Sequence, residues 1–361
     1  MPEHPYAVRT LVAAASATLL LSACSGDDSD TSDAPAHSSA YEQALDRLPA
    51  DTPSFEFRDV KGAEDRLGIA DEHDPDAYLE GAPEAEWATS SLLPYLETMS
   101  DSAWDATDIV WEAQILTAPE AFTVRRLDDD VDLDAAIGEL EEAGYTAEDE
   151  GDGTMLLAGL GDISSESPGL YVQLGLAVLV LPDEHLIISA RDEGALSTYT
   201  KMGKSLSEAG GFASLDQDTA LDMEYVYAEA DSQACSQAAG QAGELATDAQ
   251  RAALEEQYAD LGTPESAALV LGANDDETAA AAQLTFADEE AAEADAEPRN
   301  ALLRDGTSMV GGAPYSEYFT VEDISVDGAI ETIAIDPLDN PGRLPQMVAS
   351  RDAPFLACGP S

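Results

Sequence analysis

The order of the predicted secondary-structure elements constrains the fold most strongly, because the same order occurs twice along the chain. Each half reads strand, strand, strand, helix, strand, strand, helix, as judged from apolar alternation and helical periodicity. The predicted elements are 54–60, 108–116, 121–127, 132–143, 170–181, 185–190 and 192–202, then 223–229, 266–273, 280–287, 288–303, 318–326, 329–335 and 343–350. A further strand is predicted at 155–158. This order favours an α+β fold of two similar halves, each an antiparallel sheet backed by helices, at 41–215 and 216–361.

The clearest local prediction is the helix that Asp132 begins. Asp132 is a good N-cap, and Leu133, Ile137 and Leu140 form one apolar face at helical spacing. Gly144 ends the helix, because glycine readily adopts the left-handed conformation found after a helix C-terminus. The long apolar run at 174–181 is predicted to be a central strand, since it is too short to span a membrane.

The N-terminal segment has the pattern of an export signal. Arg9 precedes an apolar run that is too short to cross a bilayer, which takes about 20 residues. The run ends in Leu21-Ser22-Ala23-Cys24, which resembles the lipobox of bacterial lipoproteins. In that family a diacylglyceryl group is attached to the cysteine thiol, and the peptide is cut just before it. The resemblance implies a signal peptide at 1–23, a lipidated, palmitate-bearing Cys24 and a position on the outer face of the cytoplasmic membrane. Conventional cleavage after Ala23, leaving a free thiol, is the alternative.

The composition restricts the partners. Residues 24–40 contain no large apolar side chain, so we expect a flexible acidic tether between anchor and body. The chain has 74 acidic and 15 basic residues, with a formal net charge of −59. This excludes nucleic acid as a partner, because phosphate binding needs clustered lysine or arginine. The acids are spread along the whole chain, which favours solvation over a dedicated cation store.

The cysteines point to one disulfide. With Cys24 lipidated, Cys235 and Cys358 remain, and an exported protein with one remaining pair favours a bond between them over two free thiols. The chain-entropy model gives such a bond about 4–5 kcal/mol of stabilisation. The bond would hold the C-terminus against the body.

Several short sequence segments also support the assignment as an exported lipoprotein. Leu48-Pro49-Ala50-Asp51-Thr52-Pro53 leads into a predicted strand, and Asp132-Leu133-Asp134 begins the helix that ends at Gly144-Tyr145. Together with the strand, strand, helix pattern at 172–202, they resemble uncharacterised actinobacterial cell-envelope lipoproteins. Some of these carry a domain of unknown function that opens with a similar Leu-Pro-Ala-Asp-Thr phrase. The resemblance implies an envelope lipoprotein and supplies no catalytic residue.

Motifs for metal binding, phosphate binding or catalysis are weak in this sequence. A calcium-binding register runs through acids at alternate positions, but Leu133 stands where its sharp turn needs glycine, and its second half overlaps the predicted helix. The register consists of Asp128, Asp130, Asp132, Asp134 and Glu139. These acids are better explained by an N-capped helix that is preceded by solvent-exposed carboxylates than by weak cation binding at the surface. Gly203-Lys204-Ser205 mimics a phosphate loop without its first glycine, and His185 is predicted to lie in a turn. We therefore predict no catalytic, metal or cofactor residues.

The sequence thus predicts a lipid-anchored binding or scaffolding protein without catalytic activity. It would attach to the membrane through the lipid on Cys24 and bind an envelope protein. One alternative is a carrier of a small apolar ligand held near Trp87, Trp104 and Trp111, although large aromatic residues more often belong to a core. The other alternative is an envelope hydrolase that lacks a recognisable motif.

Overall fold

The fold is known from a computed structural model. It describes residues 39–69, 75–81, 85, 87–100, 102–117, 121–159, 174–210, 212–213, 215, 219, 221–230, 234–235, 252, 256–274, 277–338 and 340–359. The predicted signal peptide, Cys24 and most of the predicted tether lie outside the described residues. Residues 39 and 40 of the predicted tether are described and begin a helix, because Ser39 and Glu42 form a capping box.

The strands of the described residues form one sheet of twelve, in the order β11-β12-β10-β9-β8-β1-β2-β3-β7-β6-β5-β4. Neighbouring strands pair antiparallel throughout. The strands are β1 Ser54–Asp59, β2 Ile109–Ile115, β3 Phe122–Leu127, β4 Thr146–Glu150, β5 Gly153–Leu157, β6 Ala177–Leu181, β7 Leu186–Ala190, β8 Asp222–Ala230, β9 Ser266–Asn274, β10 Glu277–Thr285, β11 Thr320–Asp327 and β12 Ile330–Asp336.

The sheet is internally duplicated. The order β1-β2-β3-β7-β6 in the first half matches β8-β9-β10-β12-β11 in the second. The halves join where β1 pairs with β8, with Phe57 opposite Val226. The α+β class and the two similar halves are confirmed, and the halves share one continuous sheet. The first half has an additional hairpin, β4–β5, at its outer end. Of these strands, β4 was not predicted, because its sequence Thr-Ala-Glu-Asp-Glu is mostly carboxylates, which are depleted in strands.

The helices lie on both faces of the sheet. They are α1 Ala40–Leu45, α2 Val60–Leu67, α3 Pro75–Gly81, α4 Leu96–Met99, α5 Leu133–Glu142, α6 Glu193–Thr200, α7 Leu206–Ala209, α8 Glu289–Asp305 and α9 Arg343–Ala349. The predicted helix after Asp132 is confirmed, since the Asp132 carboxylate accepts from the Ala135 N–H at 3.1 Å and Gly144 has a φ of 109°. Among the described residues, no helix is both long enough and apolar enough to cross a membrane.

Alternation along the strands sorts the core into three clusters. On one face, the front face, a single cluster that includes Phe57, Trp111 and Ile188 packs under α1 and α6. On the opposite, back face there are two clusters. The first back cluster contains Leu140 of α5, and the second back cluster contains Leu302 of α8. On the back face each cluster is thus backed by its own helix, whereas the front cluster contains residues of both halves, Phe57 and Val226 among them. Full burial of one such large side chain contributes about 1.5–3 kcal/mol.

Candidate functional site

A band of charged and polar side chains crosses the middle of the back face, between its two apolar clusters. These side chains share that face because strand residues alternate between the two faces of a sheet. We call them the central polar band, which consists of Glu56, Arg58, Glu112, Arg125, Ser189, Glu224, Tyr225, Tyr227 and Glu229. The band covers the junction of the two halves, and it is the largest group of buried charge in the described residues.

Glu112 is the centre of the central polar band and is only 1% exposed. Its carboxylate accepts from Arg125 Nε at 2.6 Å and from Arg58 Nη1 at 3.0 Å. The Ser91 hydroxyl donates to the same carboxylate at 3.0 Å, and Arg125 also donates to Ser189 Oγ at 2.8 Å. Two arginines and a hydroxyl therefore saturate one buried carboxylate.

The electrostatics keep this carboxylate ionised. Burial alone would raise the pKa of Glu112, but the charges of Arg125 and Arg58 and the hydrogen bonds from Ser91 outweigh it, so the pKa is lowered. Burial raises the pKa of Tyr225, and the nearby Glu56 adds to the rise. A carboxylate held ionised between two arginines is poorly suited to taking or giving a proton near neutral pH.

The band continues into helix α2. Arg66 of α2 binds Glu224 of β8 through two nitrogens, at 2.5 and 2.7 Å. Asp59 caps α2 by accepting from the Gly62 N–H at 3.0 Å, and burial raises the pKa of Asp59 to about 6. Bidentate pairs of this kind fix geometry as well as charge, so they attach α2 to the sheet.

A second buried group joins α8 to β12. Arg299 is completely buried, and its Nε donates to Asp295 at 2.5 Å and lies 3.8 Å from Glu331. Asp295 also accepts from the Gly262 N–H. Burial raises the pKa of Glu331 to about 8, with Arg299 opposing the rise and Asp295 adding to it. One arginine thus faces two buried carboxyl groups, and burial favours the protonated form of Glu331.

A third buried carboxylate fixes a loop in the second half. Asp352 accepts from Ser308 Oγ at 2.5 Å, from the Met309 N–H at 3.1 Å and from the Tyr315 hydroxyl at 3.1 Å. Burial raises the pKa of this tyrosine. These bonds hold the chain that leads from α8 to β11, so the role they indicate is structural.

An open cleft of about 440 Å³ lies beside the start of α5. Its lining includes Trp104 and four carboxylates, Asp105, Asp108, Asp130 and Asp132. Three of these serve as local caps, since Asp105 and Asp108 form a capping box and Asp132 caps α5. In the part of the chain that the structure describes, no group of three or more histidine, cysteine or acidic residues has a geometry suited to a metal.

The other candidate residues are dispersed. Trp111 lies in the front cluster, Trp87 in the second back cluster and Trp104 in the first back cluster. The three tryptophans therefore do not line one ligand pocket. Ser205 of the phosphate-loop mimic caps α7 in a capping box, and His185 lies between β6 and β7 with a φ of 51°, as expected for a turn.

The predicted disulfide is confirmed, whereas lipidation is untested. Cys235 and Cys358 are bonded, with Cα atoms 5.4 Å apart and a sequence separation of 123. The bond fixes the buried C-terminal segment, which includes the 3₁₀ helix Pro354–Leu356. Cys24 lies outside the described residues, so its lipidation stays a prediction.

Sequence reasoning missed the buried charge groups. Glu112 stands in a strand that is otherwise almost wholly apolar on both faces, and Arg125 stands at the cross-strand position in β3. Because an unpaired charge is rarely buried, an acid in one such strand and an arginine in the next predict a pair. Asp295 and Arg299 likewise have the spacing of a helical ion pair.

Comparison with known proteins gives a likeness in fold only. No family model matches the chain, and no curated protein matches it. Crystal form I of TP0453 has a TM-score of 0.41 and 11% identity, covering 86% of this chain and 97% of that chain. Crystal form III of TP0453 has a TM-score of 0.41 and 10% identity, covering 83% and 96%. A likeness at this level carries no information about function.

Proposed function

We propose that this protein is a lipid-anchored binding or scaffolding module on the outer face of the cytoplasmic membrane, without catalytic activity. The observation that supports a binding role is that the buried charged groups pair with one another. Within the first half, Glu112 is saturated by Arg125 and Arg58, and across the junction of the halves Arg66 of α2 binds Glu224 of β8. Charges arranged in this way stabilise a platform, which leaves its surface and edges for recognition.

The proposed position depends on Leu21-Ser22-Ala23-Cys24. Two acyl chains on Cys24 would give far firmer membrane retention than one. A body with a net charge of −59 is repelled by anionic headgroups, so the lipid has to supply the attachment. The same argument predicts that loss of the lipid releases the protein from the membrane at low salt as well as at high salt.

An internal carrier is less well supported than a surface binder. A carrier of an apolar ligand needs a deep pocket with apolar walls. The tryptophans expected to form it are instead packed into three different clusters, and the cleft beside Trp104 is open and lined by carboxylates.

The test compares the wild-type chain with Cys24→Ser in a bacterial host. We expect the wild type to incorporate labelled palmitate and to enter the detergent phase on phase separation, whereas Cys24→Ser should do neither. The double variant Cys235→Ser/Cys358→Ser is the matched control, because it loses two cysteines and keeps the lipidation site. Membrane retention of full-length Cys24→Ser, or loss of labelling in the double variant alone, would overturn the proposal.

A further inference from the structure

The second half of the sheet ends one hairpin earlier than the first. In the first half, β6 pairs on its outer side with β5, and β5 with β4. The counterpart of β6 in the duplicated order is β11. Among the described residues, no strand pairs with the outer side of β11, which is the last strand of the sheet. The internal duplication thus shows what occupies this position in the first half, whereas the described part of the second half supplies no counterpart.

The open edge leaves apolar side chains partly uncovered. On β6, Val178 and Val180 face the first back cluster and are completely buried. On β11, Val321, Ile324 and Val326 face the second back cluster but are only half-buried. The first back cluster continues beyond β6 onto β5 through Leu156 of the additional hairpin. A strand added beside β11 would complete the second back cluster in the same way.

The backbone of β11 is arranged to accept such a strand. Gly328 and Ala329 form a two-residue turn, and Asp327 pairs with Ile330 across it. In a two-residue hairpin the closing pair is hydrogen-bonded, and the bonding alternates along an antiparallel ladder. The peptide groups of Ile324 and Val326 therefore point away from β12, toward the open edge. An unpaired row of such groups is a template for another strand.

We propose that the outer edge of β11 binds an extended strand of a partner protein, with cationic side chains on its front-face side and apolar side chains on its back-face side. The apolar side chains would pack beside Ile324 and Val326, as Leu156 does in the first half. The exposed side chains on the front face of β11 include Asp323 and Asp327, which select opposite charge across the strands. This identifies the kind of partner for the proposed binding function and rests on that function, but it does not depend on the lipid anchor.

The charge of β11 argues against a second copy of this chain as the occupant. Pairing β11 with itself would bring the carboxylates of two acidic strands together, in molecules that each carry a net charge of −59. Like charges on facing strands are destabilising. Each of the two edges of the sheet carries acids, but the half-buried aliphatic residue of β4 is the small Ala147, whereas β11 has Val321, Ile324 and Val326. The β4 edge therefore offers little apolar surface to a partner strand, whereas β11 combines an open ladder with an incomplete core.

The experiment uses the full chain in neutral detergent and a fluorescent eight-residue peptide that alternates lysine and valine. Two control peptides are used, one with glutamate in place of lysine and one with alternate backbone nitrogens methylated. The methylated peptide keeps the charge and the side chains but lacks the donors of one strand edge, so it cannot form the antiparallel ladder through that edge. It therefore separates strand pairing from nonspecific attraction to an acidic protein. Salt at about 0.3 M screens that attraction further.

We expect saturable binding of the lysine–valine peptide in fluorescence anisotropy and slower amide exchange at Ile324 and Val326. Exchange in β4 should not change. Because methylation removes two or more ladder hydrogen bonds, it should weaken binding by at least about tenfold. Equal binding of the methylated peptide, or protection that appears elsewhere and not in β11, would refute the proposal.

A variant tests the same edge from the protein side. Ile324→Pro removes a donor that points outward and is tolerable on an edge strand, whereas Ile324→Val keeps the donor and serves as the matched control. We expect about fivefold weaker peptide binding for the proline variant, which loses one ladder donor, and unchanged binding for the valine variant. If the proline variant fails to fold, the methylated peptide and the exchange pattern decide. Failure of peptide binding with intact Cys24-dependent labelling would refute the edge proposal alone, and the reverse result would refute only the anchor.

Discussion

Replacing Glu331 with glutamine should remove a loss of stability that the wild-type protein undergoes as the pH rises. Glu331 and Asp295 face the single buried cation Arg299 between α8 and β12. Burial raises the pKa of Glu331 from 4.5 to about 8, so its protonated form is the one that fits the folded protein. Glutamine has nearly the same shape, is always neutral and offers an amide N–H, in place of the carboxylic O–H, that can donate to Asp295.

The direction in which the free energy of unfolding changes with pH follows from proton binding. The folded-state pKa of Glu331 lies above that of the unfolded chain, so the folded state binds more protons between these values. The stabilising contribution is fully present below about pH 4.5 and is lost as the pH rises through about 8. The difference between 4.5 and about 8, at about 1.4 kcal/mol per pH unit, gives roughly 5 kcal/mol as the upper limit of the loss.

Urea denaturation of wild type and Glu331→Gln between pH 5 and pH 9 measures this loss. We expect similar unfolding free energies at pH 5, and at pH 9 an advantage of several kcal/mol for the variant. Glu297→Gln is the matched control, because it removes an exposed carboxylate from α8, the helix that carries Asp295 and Arg299. The contribution of Asp59, whose pKa is about 6, cancels in the comparison. Parallel pH curves for wild type and Glu331→Gln would refute the reasoning.

Three further substitutions test how the fold is held together. Glu112→Gln leaves Arg125 buried without its counter-ion, while Arg58 keeps Glu56, so urea denaturation should show a loss of about 3–5 kcal/mol. Asp132→Ala removes the cap of α5 and should cost about 1 kcal/mol in the same assay, with Asp132→Asn recovering most of it. Cys235→Ser/Cys358→Ser should lower the free energy of unfolding by about 4–5 kcal/mol on the chain-entropy model. An unchanged denaturation midpoint in the first variant, or equal midpoints for alanine and asparagine in the second, would contradict these assignments. The third assignment would be contradicted if the double-cysteine variant, the reduced wild type and the oxidised wild type all had the same free energy of unfolding.

The fold was largely predictable because its determinants are local. The carboxylate of Asp132, the glycine at 144 and strict alternation in strands such as β1 act within a few residues. The duplicated order could also be predicted, since it depends only on counting elements. The joining of the two halves into one sheet could not be predicted, because β1 and β8 are far apart in sequence and their pairing is set by the whole fold.

The candidate site was much less predictable. In a chain with 74 acidic residues, no single carboxylate is conspicuous, and the structure was needed to show that Glu112 and Glu331 are buried. The open edge of β11 is a property of topology, since it depends on the absence of a counterpart to the β4–β5 hairpin among the described residues. The three tryptophans are close in sequence, which suggested a common ligand site, but they belong to three separate clusters in the structure.

The most direct test of the central claim is the intact mass of the mature protein extracted from native membranes. Attachment through the thiol of Cys24 predicts a chain that begins at residue 24 and carries a diacylglyceryl group, with acyl fragments released from its N-terminal peptide. A chain that begins at residue 24 with a free thiol, or one that keeps residues 1–23 without any lipid, would contradict it.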